Sequence, residues 1–164
     1  MMEYQTVDPG YKSLLRVVIL IDTLLMLLLC LLPVLVVPAV QPWHGAVAAI
    51  VVIVAALLLA VFWVPKRFRL TGYSVQPQAV YFRTGALWRV QTVVTLNRIQ
   101  HVEITQGPLE RWLKLARLII YTAGGKGSDL TVPGLPLGGA ESIRDGLLRD
   151  IDSQYNETDE GSGQ

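Results

Sequence analysis

Cysteine is almost absent. Cys30 stands alone, which excludes an internal disulfide and a cysteine-based zinc site. Histidine is nearly as scarce: His44 and His101 lie far apart, and no His/Asp/Glu spacing suited to a metal surrounds either. No nucleophile is paired with a base in any recognisable pattern. The run Gly124-Gly125-Lys126-Gly127-Ser128 lacks the spacing of a phosphate loop, and a strand pattern rather than a helix follows it, so it reads as a hairpin turn. These absences predict a chain without catalytic residues, metal or cofactor. Charge is thin too, and unevenly so: between Val17 and Val64 the only acidic, basic or imidazole side chains are Asp22 and His44.

What fills that interval is apolar. Val17–Val40 and Trp43–Val64 are each long enough to cross a hydrocarbon core, which needs about 20 residues at about 1.5 Å per residue. Backbone groups cannot stay unpaired in lipid and the alternation of a barrel strand is missing, so the expectation is two transmembrane helices. The first run is too long for the apolar region of a signal peptide and is taken as retained. Lys12 and Arg16 precede the first span and Lys66, Arg67 and Arg69 follow the second, while the connection has no Lys or Arg, which places both termini on the cytoplasmic side. Gly45, Ala49, Ala56 and Ala60 form a small-residue face suited to helix packing. Asp22 is the candidate functional residue within the membrane; the plainer alternative has it reaching interfacial water or the Lys66/Arg67 cluster. Pro33 and Pro38 are expected to kink the outer end of the first helix.

The remainder divides by pattern and by charge. Residues 1–16 read as a short arm with a turn at Pro9-Gly10, residues 65–153 as one domain and residues 154–164 as a disordered acidic tail. Short β-branched and aromatic runs predict strands near 67–76, 79–84, 88–96, 99–106, 116–123 and 128–132, with a helical turn after Gly107-Pro108. Gly134 and Pro136 are expected to end the sheet. A final helix over 137–153 presents Ala140, Ile143, Leu147 and Ile151 on one face. Ten Lys or Arg face only Glu103 and Glu110 between Pro65 and Gly127, whereas the stretch from Ser128 onward is acidic. Lys66, Arg67, Arg69, Arg111, Trp112, Lys114 and Arg117 are therefore candidates for contact with anionic lipid. The competing expectation is that Trp112 and Leu113 close the sheet edge as core. No reading helix or aromatic RNA motif is present, so nucleic acid is not an expected partner.

The predicted architecture is a membrane helical hairpin carrying a bent antiparallel sheet of six to seven strands, closed by a C-terminal helix. The segments Thr95–Val102, Gln106–Arg111, Leu115-Ala116, Tyr121–Gly125 and Gly134–Pro136, together with the Trp63, Pro65, Arg67 pattern after the spans, resemble the membrane-flanked bacterial PH-like family of the YdbS kind. The resemblance covers about residues 10–152. It implies a multi-pass bacterial plasma-membrane protein with a cytoplasmic PH-like domain, often accompanied by a larger relative with several such domains. It supplies no catalytic activity. Two roles follow as expectations: an interaction module in an envelope-associated complex, with a larger membrane protein or a second copy as partner, or a module binding anionic membrane lipid. An accessory role in transport or envelope-stress resistance is a third, tied to Asp22.

Overall fold

The computed structural model describes residues 4–37, 41–123 and 130–161, with side chains described as far as Ile151 and at Ser153. Its first helix, α1, spans Gly10–Val36 and so starts well before the apolar run. The start is set by Asp8-Pro9. Asp8 Oδ1 accepts the Gly10 N–H at 2.7 Å, and the Asp8 and Pro9 carbonyls accept the Tyr11 and Lys12 amides. A side-chain acceptor just ahead of a proline is a strong helix start, and the turn expected at Pro9-Gly10 is the turn that leads into α1. Pro33 lies inside α1; the kink expected at Pro38 falls outside the described residues.

The second span does not stop at Val64. Helix α2 (Pro42–Leu58) passes through a π turn at Leu59–Trp63 into α3 (Val64–Leu70), one helical run of 29 residues. Pro65 accounts for the wide turn: it has no N–H to offer the preceding turn and its ring crowds the carbonyl there. The Val64 amide reaches back to Leu59 O instead. Residues 67–70 are consequently helical, not the start of a strand. Thr71 closes this helix by donating its hydroxyl to Arg67 O at 2.8 Å.

Among the described residues, seven strands form two antiparallel sheets. One has the order β1-β2-β3-β4, made of Gln5–Thr6, Gly72–Gln76, Ala79–Gly85 and Arg89–Thr95; the other is β5-β6-β7, made of Ile99–Thr105, Leu115–Thr122 and Leu130–Pro136. The last strand runs four residues beyond the expected 132, so Gly134 lies inside β7, and Pro136 ends the sheet as expected, with α5 following at once. The turn expected at Gly124–Gly127 lies outside the described residues, as does the first part of the strand expected at 128–132. Strand β1 comes from the N-terminal arm, pairing Gln5 with Tyr73 and Thr6 with Gly72. A two-residue strand carries no period, which is why the arm looked structureless.

A short helix α4 (Pro108–Trp112) joins β5 to β6, and α5 (Leu137–Gly161) follows β7. Helix α5 takes in residues 154–161, assigned above to a disordered tail. Once a helix is nucleated by packing, each further residue costs only its own propensity. Ala140 and Leu147 are fully buried, and Ile143 packs beside them on a core of Val80, Phe82, Val94, Leu118, Ile120, Val132 and Leu135. A second core lies where the helices meet the sheets: Val7, Tyr11, Leu14 and Leu115, with Phe68, Leu109 and Leu113 against them.

Candidate functional site

That second core builds a joint between the membrane helices and the sheets, and beside it opens a cleft of about 420 Å³. Tyr11, Leu14, Leu15 and Val18 of α1 form one wall, Arg67 of α3 another, and Pro108 to Glu110 with Arg117 the floor. Glu110 is only 5% exposed, a costly place for a carboxylate unless each oxygen is matched. Oε1 meets Arg117 Nε at 2.6 Å and Oε2 accepts the Gly107 N–H at 2.7 Å. The second contact ties the third residue of α4 back to its N-cap, fixing the helix start. Gln106 completes the frame by donating Nε2–H to Leu115 O at 2.6 Å. Arg67 is less satisfied: its guanidinium lies 4.9 Å from the Trp63 ring centre, and its Nε is buried with no hydrogen-bond partner among the described residues.

Of the seven candidate lipid-contact residues, only Arg67 and Arg117 line this cleft. Lys66 and Arg69 are exposed on α3, and Arg111, Trp112 and Lys114 are exposed at the end of α4. Trp112 and Leu113 part company. Leu113 packs into the second core, as a residue closing the sheet edge would, but Trp112 stands 72% exposed. Lys114 takes a left-handed backbone, φ 56°, and its carbonyl accepts the Leu137 amide at 3.4 Å.

Within the hairpin, the small-residue face of α2 meets α1. A Cβ at Gly45 would come 2.6 Å from Val34 Cγ2, and Ala49, Ala56 and Ala60 are each partly covered while Val47, Ile50 and Val54 are exposed. The face is occupied inside the chain. Asp22 is exposed and lines a groove between α1 and α2 with Thr23, Met26, Val52 and Leu59. No ion pair with Lys66 or Arg67 reaches it among the described residues. His44 stacks on Trp43 at the far end of the hairpin, with ring centres 3.7 Å apart. His101 is exposed on β5 beside Tyr121. Tyr121 donates its hydroxyl to Glu103 at 3.2 Å, and that bond, with a little burial and the nearby negative charge, raises the phenol above its ordinary value. No group of three His, Cys, Asp or Glu among the described residues could hold a metal.

The largest surprise in exposure is at the β3–β4 turn. Leu87 and Trp88 are 79% and 83% exposed, more than any large apolar side chain of the spans among the described residues. The sequence pattern placed both inside a strand over 88–96 or at its threshold. Gly85 followed so closely by two large apolar residues was the available sign that they occupy the turn.

Comparison with known proteins gives two findings. A family model described as bacterial PH domain matches residues 15–151, taking in the helical hairpin as well as the sheets. The transmembrane protein YdbS of Bacillus subtilis (strain 168), of the UPF0699 group, is 31% identical over 93 residues, which are 56% of this chain. The match spans 57% of that relative's own length. No solved structure matches significantly.

Proposed function

The chain belongs to the bacterial PH domain family, and from that premise we propose that it is a non-catalytic subunit of a membrane assembly, binding a protein partner through the open edge of β4. It is a membrane protein of a non-catalytic kind by family. The observation that carries the finer reading is the state of β4. Among the described residues this strand pairs only with β3, five of its seven residues are exposed, and Val90 and Val93 are each 52% exposed. An open edge with apolar side chains is a template for strand pairing with another chain. No lysine or proline blunts it. The partner is a larger membrane protein with several PH-like domains, or a second copy of this chain. The Lys/Arg distribution around the spans supports a cytoplasmic domain and termini in the bacterial plasma membrane.

A photo-crosslinker replacing Gln91 in the native membrane should form a discrete adduct whose mass separates self-association from a larger partner. Val93→Lys should reduce that adduct at least tenfold while leaving thermal unfolding unchanged. A particle of one chain's mass in gentle detergent, with no adduct, sinks the assembly reading. A second reading, contact with anionic lipid through α4, is favoured by the exposure of Trp112 beside Arg111 and Lys114. Arg111→Glu with Lys114→Glu should then weaken retention of anionic lipid without changing the adduct.

A further inference from the structure

We propose that the tip of the β3–β4 hairpin is a second membrane anchor: Leu87 and Trp88 enter the headgroup region of the leaflet that α1 and α3 leave, and Arg83 and Arg89 hold a lipid phosphate behind them. The proposal rests on exposure, position and charge, and it does not depend on the use of the β4 edge by a partner.

Leu87 and Trp88 are the two most exposed large apolar side chains among the described residues. The turn that carries them is tight, since a Cβ at Gly85 would overlap the Trp88 carbonyl oxygen. Leucine and tryptophan side by side in water are unfavourable, whereas an indole with an apolar neighbour suits the membrane interface.

Position follows from the strand register. Strand β2 leaves the end of α3 at Gly72, and β3 returns antiparallel until Arg83 lies opposite Gly72 and the Thr84 hydroxyl meets that of Thr71 at 3.1 Å. Strand β1 reaches the same end at Thr6 before the chain enters α1. The β3–β4 tip is therefore at the end of the sheet where both membrane helices join, and the β2–β3 turn at Gln78 is at the opposite end. From Arg83 to Leu87 the chain can reach about 13 Å at about 3.3 Å per residue. From Leu70 back to Val64, α3 rises about 9 Å at about 1.5 Å per residue. The hairpin is long enough to return to the level of Trp63.

Charge completes the case. A recess of about 170 Å³ behind the tip is lined by Leu70, Arg83, Thr84, Arg89, Val90 and Gln91, with two guanidiniums and no acid. Arg83 stacks on Tyr4 at 4.2 Å, and its Nε is buried without a hydrogen-bond partner among the described residues. An anionic phosphate satisfies such a site.

The test uses the full chain with Cys30→Ser, carrying one environment-sensitive fluorophore at Leu87→Cys or, for comparison, at Gln78→Cys. The chain is placed in nanodiscs of phosphatidylglycerol and phosphatidylethanolamine. The label at position 87 is expected to emit at shorter wavelength, to be quenched by nitroxide-bearing lipid and to resist aqueous iodide; the label at 78 should behave in the opposite way. Arg83→Gln with Arg89→Gln, or discs of phosphatidylcholine alone, should reduce the difference. A label at 87 as open to iodide as that at 78 overturns the proposal, and so does shielding without quenching by the lipid nitroxide, which indicates a protein contact. Trp88→Cys gives the same readout at the neighbouring position.

Discussion

At the scale of single residues, Gly134 is constrained by its backbone and by packing together. It takes φ +71°, a region that side chains other than glycine's enter at a cost, and a Cβ there would come within 2.6 Å of Tyr11 Cγ. Its carbonyl also accepts the Asp8 amide at 2.9 Å, so one residue of β7 fastens both the arm and the first turn of α1. Gly134→Ala should cost about 2 kcal/mol or more, from backbone strain and overpacking together, read as a lower midpoint in thermal unfolding. Tyr121 offers a pH test. Its pKa is raised above the ordinary phenol value of 10.0 first by the hydrogen bond to Glu103. A raised folded-state value means that the bond's contribution is complete below pH 10.0 and is lost as pH rises through the higher folded value. Phenolate absorbance should show Tyr121 titrating late and moving towards the ordinary value in Glu103→Ala. Tyr73, raised by burial, should not move in that variant.

At the scale of elements, most boundaries were legible, and the exceptions share one cause. Alternation such as Val80 and Phe82 against Tyr81 and Arg83 marks a strand with one buried face, and β3 lies within a residue of where that pattern puts it. The stripe Ala140, Ile143, Leu147 likewise fixed the packed face of α5. Errors gathered where the membrane helices enter the sheets. Apolar periodicity reports lipid contact there and says nothing of a helix continuing into a protein core, so α1 was expected to begin late and α3 was read as strand. The Asp8-Pro9 cap and the wide turn at Pro65 were present in the sequence as local chemistry. The cleft was less legible still, because Arg67 and Arg117 come from distant elements and meet only through the second core. The hairpin packing yields an element-scale prediction. Since the small-residue face of α2 is covered by α1, Gly45→Leu should push Val34 aside and separate the two spans, at about 1–3 kcal/mol. A lower melting temperature of the purified single chain in detergent would show it. An effect on complex size alone, with the chain's own melting unchanged, would instead mean that the face is used between molecules.

At the scale of the whole molecule, the second core decides how membrane and sheets move together. A tethered domain would tumble beside its anchor, with its core closed by its own residues. Here Val7 and Tyr11 from the arm and start of α1, and Leu14 one turn later, are 1%, 4% and 8% exposed, packed against Leu115 of β6 and beside Phe68, Leu109 and Leu113. The domain borrows part of its interior from the segment that enters the membrane. A tilt of the hairpin should thereby be passed to the sheets as a rotation, carrying the β4 edge and the hairpin tip with it. Two consequences can be measured together. Tyr11→Ala should destabilise the sheets by about 3–5 kcal/mol, the cost of emptying a buried aromatic site, although the residue lies outside the boundaries suggested by strand pattern. A fragment starting at Pro65 should unfold at lower temperature than the domain in the full chain or aggregate through its uncovered Leu115 surface, and rejoining residues 4–16 through a flexible linker should restore much of the loss. A fragment of residues 65–161 as stable as the domain in the full chain would show that the joint is a contact between two independent bodies, and the coupling of hairpin tilt to sheet orientation would have no structural basis.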